Sequence, residues 1–110
     1  MSKRYIGDPN AMDWQVAVDN GPGTVKRALP LRLDVRNHSP DGFAWGYGGS
    51  GPAQLALAML CDALGDVERA SAIYQRFKDR HVATLPGDEP FVMPAAQVVA
   101  RAEAIERGAG

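Results

Sequence analysis

The sequence predicts an α+β domain: a small, mainly antiparallel sheet of three or four strands packed against a buried central helix, with two further helices. Three observations predict it. The first third carries short stretches in which apolar and polar residues alternate, the period of a half-buried strand. A glycine-rich junction then leads into a run that is apolar nearly all round. Two segments with helical spacing follow. At 110 residues the chain holds one core, so residues 1–110 are read as a single globular domain. A composition of 45% hydrophobic and 23% charged residues is that of a globular protein and not of a disordered tail.

Arg4-Tyr5-Ile6 reads as a short edge strand, stopped by the turn formers Gly7-Asp8-Pro9-Asn10. From Trp14 to Asp19 the large apolar residues Trp14, Val16 and Val18 alternate with Gln15, Ala17 and Asp19, and Asn20-Gly21-Pro22-Gly23 turns the chain. Leu29 to Asn37 alternates most cleanly, with Leu29, Leu31, Leu33 and Val35 opposite Arg32, Asp34 and Arg36. Pro30 donates no ladder bond there and favours the start or edge of a strand. The charged row is the solvated face of a one-sided sheet or, alternatively, a surface that a partner reads.

Pro52 suits a first helical turn, with Ser50 or Gly51 as the cap, and the helix should run to Leu64 and end at Gly65. Only Gln54 and Asp62 interrupt its apolar surface, so it is expected at the centre of the fold. Asp66 caps a second helix to Arg80, which buries Ala70, Ile73, Tyr74 and Phe77. The basic residues Arg76, Lys78 and Arg80 suit its C-terminal dipole. His81 to Leu85 reads as a short strand and Pro86 to Pro90 as a loop. Pro94 opens a last helix to Arg107, with Val98, Val99, Ala102 and Ile105 on its buried stripe.

Composition also narrows function. Twelve basic against thirteen acidic side chains leave a formal charge of -1, which sets nucleic acid aside as a partner. The longest apolar run, Leu55 to Cys61, is far short of the ~20 residues that cross a bilayer, and no hydrophobic signal region follows Met1. A cytoplasmic protein is expected. One cysteine and two histidines provide neither an internal disulfide nor a usual zinc set, so no metal and no cofactor is expected.

The segment that asks for chemistry is Gly46-Tyr47-Gly48-Gly49-Ser50-Gly51, which has the spacing G-x-G-x-x-G before a helix. A dinucleotide fold would follow that helix with a strand ending in an acidic residue. Here another helix follows, and Pro52 removes one N–H donor. A Walker loop would end in Gly-Lys-Ser/Thr, which is absent. Two readings remain: the glycines serve close packing and sharp turning, or Gly46, Gly48, Gly49, Ser50 and Gly51 hold a nucleotide or other phosphate. Phe43, Trp45 and Tyr47 alternate beside them as a partner anchor or as caps on a small core. Ser39 and Ser50 lack an oriented base, since His38 and Ser39, as extended neighbours, point apart. Cys61 sits in the apolar helix as inert filling.

Asn37-His38-Ser39-Pro40 and the longer run Gly42-Phe43-Ala44-Trp45-Gly46-Tyr47-Gly48-Gly49-Ser50-Gly51-Pro52-Ala53-Gln54-Leu55-Ala56-Leu57-Ala58 resemble a family of small bacterial and phage proteins, a domain of unknown function found on mobile elements. The similarity continues through Tyr74, Phe77-Lys78 and Val82-Ala83. Ala44 stands where members often carry an acidic residue, and Phe91 where they carry tryptophan. The resemblance implies a family with no established activity; its mobile-element setting suggests a noncatalytic protein-binding module of phage or mobile-element type, with inhibition of a bacterial defence system, in the manner of anti-CRISPR proteins, as the candidate role. The expected partner is a host protein or defence complex, met by Phe43, Trp45 and Tyr47 or by the Arg32 and Arg36 face. The alternative is a small-ligand binder at the glycine loop, and an enzyme ranks third.

Overall fold

The computed structural model describes residues 3–12 and 15–108. Its four-stranded sheet is antiparallel throughout, in the order β3-β2-β1-β4, with β1 at Arg4–Gly7, β2 at Val16–Asp19, β3 at Arg27–Ala28 and β4 at Phe91–Pro94. Trp14, which the alternation assigns to the second strand, lies outside the described residues. The helices are α1 at Ser50–Leu64, α2 at Val67–Phe77 and α3 at Ala95–Glu106. The predicted α+β class is the observed one.

Period-two alternation sorts the sheet into two faces. Val18, Tyr5 and Met93 share one cross-strand row and are buried, whereas the row Ala28, Ala17, Ile6 and Val92 faces outward. Tyr5 is therefore interior: β1 pairs with β2 on one side and β4 on the other, where the sequence places it at an edge. Register also explains Gly7. The ring of Phe91 occupies the space beside it that a Cβ would need, 2.1 Å from the nearest ring atom.

The helix α1 is the centre of the molecule, with every residue from Gly51 to Cys61 buried. Gly65 ends it in the left-handed region, φ 64°, and donates its N–H to the Cys61 carbonyl. Asp66 then caps α2 by accepting from the Arg69 N–H at 3.1 Å. Asp62, near the end of α1, ties the helix to the sheet. Its carboxylate accepts from the Tyr5 hydroxyl at 2.6 Å and pairs with Lys3 at 2.6 Å and Arg27 at 2.9 Å. Burial alone would raise this carboxyl, and it is the largest single influence. The three donors together outweigh it and hold Asp62 below the ordinary range. Burial, helped by the bond to Asp62, pushes the Tyr5 phenol far above its ordinary value.

Three elements depart from the sequence reading. The expected strand over Leu29–Asn37 does not form: after Leu29 donates to Val16, Pro30 has no N–H, and Arg32 adopts φ 59° and opens a turn. Arg32 and Arg36 therefore lie on no sheet face. The second helix does not run regularly to Arg80 before a strand at His81–Leu85. Lys78–Val82 instead continue it as a π-helical turn, in which Ala83 donates to the Lys78 carbonyl. The wider turn lets Phe77 and Val82, five apart, both enter the core. Finally β4, the four residues Phe91–Pro94, forms between the expected loop and the last helix, where the sequence marks no strand; it buries Phe91 and Met93 while Val92 and Pro94 face out.

No helix among the described residues is long and apolar enough to cross a membrane.

Candidate functional site

Gln54 organises the connection from β3 to α1. It is fully buried, and its amide is saturated: the oxygen accepts from the His38 N–H at 2.8 Å and the Ser39 N–H at 3.0 Å, and the nitrogen donates to the carbonyls of Leu31 at 2.6 Å and Arg36 at 3.0 Å. One side chain of the central helix thus holds both limbs of the loop from Leu31 to Ser39. The sequence marks Gln54 only as a polar interruption of an apolar helix. That signal implies hydrogen-bond partners without saying where they come from.

The next stretch is held by close backbone approaches. Gln15 accepts the Phe43 N–H at 2.8 Å, and a Cβ on Gly42 would lie 2.2 Å from that same amide oxygen. Gly46, at φ 89°, donates to the Val82 carbonyl at 3.1 Å and lies so close to Gly87 that a Cβ would meet its Cα at 2.4 Å. A Cβ on Gly51 would press on Ala44, and one on Gly49 on the ring of Tyr47. Gly48 alone in this run opens onto free space. Four of these glycines are thereby accounted for by packing, with no ligand required.

The three aromatic residues separate. Phe43 and Trp45 are buried; the Trp45 indole donates to the Glu89 carbonyl at 3.0 Å and meets the Phe91 ring edge-on, 4.9 Å between centroids. Both serve as caps on the core. Tyr47 is 55% exposed, its ring set beside Gly49. It stands between two adjoining hollows. One, of about 280 Å³, is floored by Phe43 and Trp45 and bounded by Pro9, Gln15 and Gly87. The other, of about 310 Å³, runs past Ser39 and Asp41 to Ser50 and Gly51 at the start of α1.

The remaining predicted site residues lie elsewhere. Arg32 turns both its Nε and an Nη onto Asp34, at 3.0 and 3.1 Å, so the charged row closes on itself instead of presenting alternate charges from a strand. Arg36 is exposed, with its carbonyl committed to Gln54. His38 reaches the Tyr74 hydroxyl at 2.7 Å while the Ser39 hydroxyl donates to the Gly42 carbonyl, so the two diverge as neighbouring extended positions must. Cys61 is buried, and burial raises its thiol above the ordinary value, leaving it a poor nucleophile.

What the loop offers chemically is exposed aromatic surface. An exposed aromatic ring is presented on backbone fixed from below by Gln15 and from the side by Val82 and Gly87. No curated protein and no solved structure matches the chain. A family of unknown function (DUF6166) matches residues 5–105, from the inner strand of the sheet to the last buried residue of α3. With nearly its whole length matched, glycine-aromatic loop and central helix included, the chain belongs to the DUF6166 family.

Proposed function

We propose that the protein is a noncatalytic protein-binding module whose contact surface centres on Tyr47 and the two hollows beside it. The observation that carries the reading is the exposure of Tyr47 on a loop pinned by several backbone contacts. A large aromatic held in place before binding loses little conformational freedom on docking, and such residues dominate interface energetics. The polar side chains around it are already engaged with the backbone. Ser39, Gln15 and the Trp45 indole each have a partner within the fold, which suits a surface that binds by shape better than one that performs a reaction.

The resemblance of the loop to proteins of phages and mobile elements directs the search for the partner to bacterial defence complexes, with inhibition as the proposed outcome. The test is an affinity pull-down of the tagged protein from bacterial cytosol rich in such complexes, with partners identified by mass spectrometry and the experiment repeated with Tyr47→Ala. A stoichiometric partner that the variant loses, with its thermal unfolding unchanged, supports the reading. A partner held equally by both proteins moves the contact surface away from the loop.

A further inference from the structure

We propose that the partner segment received beside Tyr47 is basic, with an arginine or lysine side chain laid over the Tyr47 ring. The inference rests on the reading of Tyr47 as a contact residue and adds the chemistry of what it contacts.

Charge supplies the argument. The chain as a whole is nearly balanced, with 12 basic and 13 acidic side chains. Around the hollows the balance fails. Asp41 lines one of them, Asp8 adjoins the lining residue Pro9, and Asp88 adjoins Gly87. Among the described residues, no lysine or arginine stands at a lining position or next to one in the chain. The three carboxylates come from three separate segments, Asp41 at a lining position and Asp8 and Asp88 each one residue along the chain from one. Asp41 and Asp88 are exposed and, among the described residues, engaged in no ion pair. The nearest histidine in sequence, His38, is turned onto Tyr74.

A cation suits this combination on two counts. The face of a tyrosine ring attracts a positive charge electrostatically, and a planar guanidinium can also stack on it. The exposed Asp41 carboxylate, which lines the hollow with Tyr47, then attracts the same group, and salt screens that attraction over about 8 Å at physiological strength. The apolar floor of Phe43 and Trp45 receives the aliphatic stem, which long basic side chains lay along apolar surface. An anion meets the reverse. A phosphate approaching Ser50 and Gly51 would pass Asp41, which lines the same hollow.

The test is a titration of the isotope-labelled protein, followed by amide NMR, with a capped peptide of alternating glycine and arginine, its glutamate counterpart, and inorganic pyrophosphate. The arginine peptide is expected to shift amides from Asp41 to Tyr47 and at Gly87 and Asp88, with the other two probes leaving them in place. The double variant Asp41→Asn, Asp88→Asn should bind the arginine peptide about fivefold more weakly and with a smaller dependence on salt. Tyr47→Ala should weaken binding further. No shift at the hollows, shifts spread equally over distant carboxylates such as Glu68 and Glu103, or a stronger response to pyrophosphate would overturn the inference. Loss with Tyr47→Ala but none with the double variant would overturn the charge preference and leave the Tyr47 contact standing; indifference to all three substitutions would remove both.

Discussion

Gln54 uses every hydrogen-bonding position of its amide on the backbone of a distant loop. Replacing it with methionine keeps the volume but strands two N–H groups and two carbonyls, each costing about 1–3 kcal/mol where water cannot reach it. Gln54→Met is therefore expected to lose about 3 kcal/mol or more of stability in urea unfolding, with faster hydrogen exchange at His38 and Ser39. Trp45 and Tyr47, two residues apart, should respond in opposite ways. Trp45→Ala empties a core position and removes the bond to Glu89, at a cost of about 3–5 kcal/mol, whereas Tyr47→Ala on the surface should stay within about 0.5 kcal/mol. Comparing the two melting curves checks this directly. Equal losses would place Tyr47 in the structural core and deny it a recognition role. The aromatic alternation itself was legible in the sequence. Which ring of the three faces water depended on Glu89 and Phe91, more than forty residues away.

At the scale of elements, α1, α2 and α3 were legible because each carries its own punctuation. Gly65 and Asp66 separate the first two, and Pro94 precedes the third. The failed strand after Leu29 shows the limit of periodicity. The alternation of Leu29, Leu31, Leu33 and Val35 is real, yet a strand also needs a ladder partner, and past Leu29 the carbonyls of Leu31 and Arg36 bond to Gln54 instead of to β2. The joint between sheet and α1 gives a prediction of its own. Because Asp62 ionises more readily in the fold than in the unfolded chain, its contribution is fully present above the ordinary value of 3.8. It is lost as the pH falls below that value and through the lower one of the fold. Unfolding measured across acid pH should find Asp62→Asn less stable than the parent near neutrality, with the gap closing in strong acid. A gap that is constant with pH would mean that the ion pairs to Lys3 and Arg27 contribute nothing.

For the whole molecule, the core runs as one cluster from Tyr5 to Ile105, and its radius of gyration of 12.8 Å matches the ~13 Å expected of a chain this long. With α1 packed against α2, α3 and the π-helical turn and tied to the sheet through Asp62, its central amides can exchange only when the fold opens globally. Leu55 to Leu60 should therefore be the last to exchange, at a rate that tracks the free energy from urea unfolding. Earlier exchange there would show that α1 opens independently of the sheet. The sequence by itself determined the α+β class, the central place of α1, the Gly65 and Asp66 caps that separate α1 from α2 and the position of the glycine-aromatic loop, because these follow from local periodicity and from glycine and proline chemistry; the cap expected at Ser50 or Gly51 falls instead on Gly49. Tertiary structure alone decided that β1 is interior, that Arg32 closes on Asp34, that Trp45 is buried while Tyr47 is exposed, and that Asp41 lines a hollow beside it. Each of those outcomes depends on contacts between segments far apart in the chain, and such contacts leave no period in either segment to be read.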